Sequence, residues 1–155
     1  EISFYNQEVI LGKARLTGKI DLIDLDKEQK TAIVTDYKTA KPSTSWKGNS
    51  SSQKIQFHHY HQQLLFYKLL IDGSRDYSTY TVSAAQLDFI RPNSRGQIEP
   101  PLQAMISPDN MDRLVTLIEK VWQHIQNQNF PDTSNYEQSL SGVLDFEQDI
   151  IDGVI

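Results

Sequence analysis

A chain of 155 residues is the size of one domain and can bury an adequate core without disulfide or metal staples. The absence of cysteine excludes disulfides, Cys-ligated zinc and Cys-bound iron–sulfur clusters, and fits a reducing compartment, so the cytoplasm is the expected location. A formal charge of -5 excludes a module that holds nucleic acid by charge alone, though not an enzyme that meets it through metal ions and a local basic strip.

The chain starts without Met, directly in strand-like sequence, and is therefore expected to be a piece of a longer polypeptide. Residues 2–11 and 14–25 read as strands, "DKEQK" (26–30) as a turn, and "TAIVTDYK" (31–38) as a third strand rich in β-branched residues. The polar stretch "AKPSTSWKGNSSSQ" (40–53) reads as a mobile loop. A helix is predicted from about Ile55 to Ile71, with Gly73 suited to its C-cap, and a fourth strand over residues 77–92, stopped by Pro92. Ser107 as N-cap and Pro108 at the first helical position open a second helix, with Met111, Leu114, Val115, Ile118, Val121, Trp122 and Ile125 at helical spacing. The acidic tail from Asn135 holds apolar anchors such as Leu140, Val143 and Ile150, and packing rather than chemistry is expected of it. No apolar run approaches the roughly 18 residues of a membrane span. Strands, helix, strand and helix in this order predict an α/β fold around one mixed sheet.

If Lys27 pairs with Lys30 across the turn, Asp21 falls opposite Asp36, and Lys38 lies on the same face. Both faces of this hairpin are largely apolar, as expected of a sheet covered on each side. Two facing carboxylates repel unless a proton or cation lies between them. Mg²⁺ or Mn²⁺ with one or two carboxylates, plus a lysine that offsets charge on phosphate, would make a phosphodiester-cleaving centre. A salt bridge of Lys38 with either acid is the plainer alternative. Gln56, Tyr60, Gln63 and Tyr67 share one stripe of the first helix, which serves either packing or hydrogen bonding.

"GKID" at 18–21, "VTDYKTAK" at 34–41 and "QLLFY" at 63–67 together resemble the RecB-like branch of the PD-(D/E)XK nuclease superfamily. The resemblance implies a restriction-endonuclease-like core, a central mixed β-sheet flanked by α-helices, as a single nuclease domain over residues 1–155. It implies Mg²⁺- or Mn²⁺-dependent cleavage of DNA, with single-stranded DNA and helicase domains as expected partners in recombination and repair. Asp21 and Asp36 would be metal ligands together with the backbone carbonyl of Tyr37, and Lys38 the catalytic lysine. Gln63 and Tyr67 would brace the site or touch DNA. A non-catalytic module of the same fold, binding DNA or docking a helicase, is the alternative.

Three departures accompany the resemblance. The helix that carries a further His or Glu ligand in relatives does not precede the first strand here, so weak metal binding is expected, and Glu1 offers only a terminal substitute. Leu22 stands where many relatives have Arg, while Asp24 keeps the following acid. The cysteine cluster of some relatives has no counterpart, so no iron–sulfur cofactor is expected.

"GKARLTGKI" (12–20) imitates a P-loop, but has five residues between its glycines and Ile20 in place of Ser or Thr, so no ATP site is expected. "FHHYH" (57–61) lacks an acid at zinc-site spacing and reads as helix surface or histidines near a DNA path. Lys13, Arg15, Lys19, Lys41, Lys47 and Lys54, with Trp46, form either a phosphate-binding strip or an ordinary solvated surface.

Overall fold

The computed structural model describes residues 1–155 and resolves eleven elements: β1 (Ile2–Ser3), β2 (Val9–Leu11), β3 (Ala14–Leu16), β4 (Lys19–Ile20), β5 (Leu22–Asp26), β6 (Thr31–Lys38), α1 (Ser51–Gly73), β7 (Thr81–Phe89), β8 (Leu102–Gln103), α2 (Pro108–Gln126) and α3 (Leu140–Asp152). The main sheet has the order β5-β6-β7-β8. Its β5–β6 and β7–β8 pairs are antiparallel, while β6 and β7 are parallel and joined through α1. A parallel pair needs such a crossover, because a tight turn can only reverse the chain. The result is the mixed α/β architecture expected of a restriction-endonuclease-like core.

The first two predicted strands are broken into five pieces, and the reason is a change of partner. β1 pairs with β4, β2 with β3, and β5 with β6, so one continuous strand cannot serve all three pairings. Between β1 and β2 the chain turns at residues 5–7 and passes Glu8 in a left-handed conformation (φ 57°). The P-loop-like stretch becomes the β2–β3 turn, with Gly12 at φ 56°, followed by β3 and β4 rather than by a helix.

The β5–β6 register agrees with the Lys27–Lys30 pairing: Leu22 faces Thr35, Ile23 faces Val34 and Asp26 faces Thr31. Asp26 fixes the turn, its Oδ1 accepting from the N–H groups of Glu28 (2.9 Å) and Gln29 (2.8 Å).

Helix α1 begins at Ser51 rather than Ile55, because Ser50 caps it by accepting from the Gln53 N–H at 3.2 Å. The Gln53 side chain reaches back to the Asn49 N–H at 2.8 Å. One side of α1 packs on β6 and β7, another meets α2 and α3. Its buried residues therefore spread widely around it: Phe57, Leu64, Leu65, Tyr67, Leu70 and Ile71. With Phe4, Ile20, Val34, Leu87 and Phe89 they form the core.

Coverage of the face away from α1 is incomplete: Ile33 is 36% and Tyr37 43% exposed there, while Thr35 between them is buried beside Gln86 of β7. β7 is also shorter than expected, since residues 77–80 are taken by a turn held by the Ser74 Oγ, which accepts from the Tyr77 N–H. α2 starts as predicted, with Ser107 accepting from Asn110 N–H. The tail forms a full helix, capped by Ser139 and ended by Gly153 at φ 69°. No helix is long and apolar enough to cross a membrane.

Candidate active site

β6 carries Asp36 and Lys38, which project from the same face toward α1, because side chains two apart on a strand share a side. Asp36 is buried, at 4% exposure. Burial of a carboxylate is costly unless it is compensated, and three side chains supply that compensation. Tyr67 donates its hydroxyl to Oδ1 at 2.8 Å, and Gln63 donates Nε2 to the same oxygen at 3.1 Å. The Lys38 ammonium lies 2.6 Å from Oδ2 and donates to Gln63 Oε1 at 2.9 Å. Tyr60 completes the surround, with its ring centroid 4.0 Å from Lys38 Nζ.

Gln63 is the hub. Its carbonyl faces the lysine and its amide nitrogen faces Asp36 and the Tyr67 oxygen (2.7 Å), so only one amide orientation satisfies all three neighbours. Helical geometry sets this up, since residues four apart on α1 stand over one another. The contact at Oδ2 is different in kind. It is short enough for an ion pair but poorly aligned as a hydrogen bond, leaving Asp36 Oδ2 a buried oxygen without a well-directed donor.

Asp21 lies in the bend between β4 and β5, one position before the Leu22–Thr35 pair, and so opposite Asp36 by extension of the register. Its Oδ2 accepts the Tyr37 N–H at 2.9 Å. Asp21 is half-buried, more open to solvent than Asp36.

The hydroxyl of Tyr67 is held in its protonated form: burial pushes its pKa well up, and the hydrogen bond to the Asp36 carboxylate pushes it further. Tyr67 is thus a permanent donor to Asp36. Tyr67→Phe is expected to cost about 1.5–3 kcal/mol of stability, the range for a hydrogen bond to a charged group, as measured by urea unfolding.

Other sequence candidates fall elsewhere. Glu1 is paired with Lys19 at 2.8 Å in an exposed ion pair, although the Ile2–Ile20 register brings it beside Asp21. Asp24 is exposed. Trp46 is no free stacking platform: its indole N–H donates to the Gln103 carbonyl at 2.7 Å, and its ring packs edge-on against Phe57 and His61. It pins the 40–50 loop to α1 and β8 instead of leaving it mobile. Arg15 is bound to the Tyr5 carbonyl, while Lys13, Lys41, Lys47 and Lys54 are exposed.

Two of the three histidines in "FHHYH" have structural partners. His61 donates its Nε2–H to the Met105 carbonyl (3.0 Å), with burial holding its pKa down. His58 meets Glu147 of α3 at 2.8 Å. Glu147 is the functional-looking residue the sequence concealed, an acid of the tail that proves buried at 7% exposure. Its signal was the Ser139 cap and Gly153 stop bracketing Leu140, Val143, Leu144 and Ile150, which places Glu147 on the inward side of a helix.

A mixed sheet joined through a helix that brings a Gln–Tyr pair onto a strand Asp-Tyr-Lys defines an α/β protein with a polar centre at the C-terminal end of its inner strand β6. The family model of the PD-(D/E)XK nuclease superfamily matches residues 1–137, and the chain belongs to that superfamily. Its members are usually divalent-metal-dependent nucleases. The match takes in every residue of the network around Asp36 and stops short of α3. No curated protein and no solved structure matches the chain.

Proposed function

We propose that this chain is a RecB-like DNA nuclease domain in which Asp21, Asp36 and the Tyr37 backbone carbonyl hold Mg²⁺ or Mn²⁺ and Lys38 is the catalytic lysine. The observation that carries this reading is the buried Asp36 Oδ2, whose nearest partner is a cation held at 2.6 Å rather than a directed hydrogen-bond donor. No three His, Cys, Asp or Glu side chains gather anywhere in the chain, which disfavours zinc-type sites. Hard cations ask for less from the protein, one or two carboxylates with water and substrate phosphate making up the rest. The residues present fit such an ion.

When bound, the ion supplies Lewis acidity toward the scissile phosphate. The chain's own groups do the remaining work. Tyr67 and Gln63 fix the Asp36 carboxylate, and the Tyr37 N–H fixes that of Asp21, so neither must reorganise. Lys38 orients the attacking water and offsets negative charge on the non-bridging oxygens, while water attacks phosphorus in line and the opposite P–O ester bond breaks. The preference for single-stranded DNA and the association with a helicase in recombination and repair rest on the order of the GKID, DYKTAK and QLLFY motifs, and a cytoplasmic setting on the cysteine-free composition.

The test is a calorimetric titration of Mn²⁺ into the wild-type chain and Asp36→Ala, with cleavage of single-stranded DNA assayed on the same samples. Binding and cleavage are expected in the wild type and lost in the variant. Absence of both from the wild type, repeated with a chain extended at its N-terminus, would leave the non-catalytic module as the better reading.

A further inference from the structure

The Gln–Tyr pair that touches Asp36 has a second copy two turns earlier on the same helix. Gln56 and Tyr60 repeat the spacing of Gln63 and Tyr67, and they repeat the contact: Gln56 Nε2 donates to the Tyr60 hydroxyl at 2.9 Å, as Gln63 Nε2 does to the Tyr67 hydroxyl at 2.7 Å. The two pairs differ in depth. Tyr67 is buried, Gln63 and Tyr60 are half-buried, and Gln56 is exposed, so the stripe climbs from Asp36 to solvent. The inner pair ends on a carboxylate. The outer pair ends on a lysine, because the Tyr60 ring lies 4.0 Å from Lys38 Nζ.

An ammonium has three protons and no acceptor capacity. Asp36 Oδ2 and Gln63 Oε1 account for two directions around Lys38, and the π face of Tyr60 occupies a third side. A cation over an aromatic face is attracted without being neutralised and without a rigid hydrogen bond. Such a support keeps the ammonium in place when a stronger acceptor competes for its protons. The Tyr60 hydroxyl, meanwhile, accepts from Gln56 and has no acceptor in the protein for its own proton. That proton is free for an acceptor from outside, and the helix and loop that flank this half-buried tyrosine carry the exposed Lys54 and Lys41.

We propose that Tyr60 is a positioning residue for Lys38, its ring holding the ammonium and its Gln56-braced hydroxyl donating to a backbone phosphate of the nucleic-acid strand. The inference deepens the nuclease reading and rests on it for the identity of the strand. It separates into a ring role and a hydroxyl role, which Tyr60→Phe and Tyr60→Leu divide between them.

The ring role has a readout that needs neither metal nor cleavage. In the metal-free protein the Lys38 ε-methylene protons should resonate upfield from ring current, unchanged in direction in Tyr60→Phe and returned to ordinary values in Tyr60→Leu. In the manganese-loaded enzyme, Tyr60→Leu, which removes the ring, should have a kcat about 5- to 30-fold below that of Tyr60→Phe, which keeps it, the range of a partly desolvated cation–π contact. The hydroxyl role is read by fluorescence anisotropy of an end-labelled single-stranded oligodeoxynucleotide in EDTA, where both variants should bind about 3- to 10-fold more weakly. Thermal melts establish that each variant is folded. Ordinary Lys38 shifts in the wild type, or equal kcat values for the two variants, would overturn the ring role. Wild-type affinity in Tyr60→Phe would overturn the hydroxyl role. Lys38→Met serves as the reference: if it cleaves normally, Lys38 has no part in the cleavage, and the resonances and anisotropy still decide what Tyr60 does.

Discussion

Lys38→Met is expected to abolish detectable DNA cleavage and to destabilise the metal-free protein, with divalent cation restoring most of the stability but none of the activity. The two effects have separate origins. Lys38 is the cation nearest the buried Asp36 carboxylate, at 2.6 Å with its side chain 15% exposed. Removing one partner of a fully buried pair costs about 3–5 kcal/mol because the other charge stays behind. Access of water to the half-buried lysine reduces that here, to about 2–3 kcal/mol. Tyr67 and Gln63 still donate to Oδ1, so the variant should fold.

Mn²⁺ would then meet a carboxylate with no competing ammonium. Thermal melts should show a larger upward shift with Mn²⁺ in Lys38→Met than in wild type, since a ligand that binds only the native state stabilises it in proportion to its affinity. Activity should not return, because a pre-set charged donor to a transition state is commonly worth about 10²–10³ in rate. A variant that is destabilised, rescued by Mn²⁺ and still inactive separates Lys38's role in chemistry from its role in the fold. Full cleavage by Lys38→Met would remove the lysine from the mechanism.

How far the sequence revealed this site depends on the range over which each feature is set. The Asp21–Asp36 juxtaposition follows from local chain geometry, because one turn length fixes the register of a hairpin. The Gln63–Tyr67 pair is likewise local, four residues apart on one helix. Their meeting with Asp36 is not local. It needs the α1 crossover to set β6 beside β7, and only the motif order signalled it. The broken strands before β5 were hidden because strand propensity reports that a segment is extended, not which partner it pairs with. The anchoring of Trp46 was hidden for a similar reason: a Pro/Gly/Ser-rich loop looks mobile until one indole N–H finds a carbonyl 57 positions away. The open sheet face, with Ile33 and Tyr37 part-exposed, could not be told from a covered one, since apolar residues on both faces suit either. Glu147 was hidden by its acidic surroundings, and only the cap, stop and apolar spacing of α3 marked its side of the helix as the inward one.

That residue carries the largest stability effect expected away from Asp36. Glu147 Oε1 receives His58 Nε2 and Gln62 Nε2, both at 2.8 Å, while Arg113 of α2 lies 3.6 Å from Oε2. One carboxylate therefore ties α3 to α1 and α2 together. Burial raises its pKa, but the hydrogen bonds from His58 and Gln62 and the charges of His58 and Arg113 outweigh that, leaving it below the ordinary 4.5 of a glutamate. A carboxylate with a depressed native pKa stabilises the fold above its unfolded pKa and loses that contribution as pH falls through the native value. Glu147→Ala is thus expected to cost about 2–4 kcal/mol near neutral pH, from unpaired buried partners and lost packing. The difference from wild type should shrink below about pH 4.5 as the wild-type carboxylate protonates. Urea unfolding across that range measures it. Because α3 lies outside the residues matched to the superfamily, and His58 and Gln62 lie off the stripe that faces Asp36, the same variant should bind Mn²⁺ at 25 °C with wild-type affinity. Loss of metal binding in a folded Glu147→Ala would mean that α3 sets the position of α1, and hence that the catalytic stripe depends on a helix the superfamily match does not include.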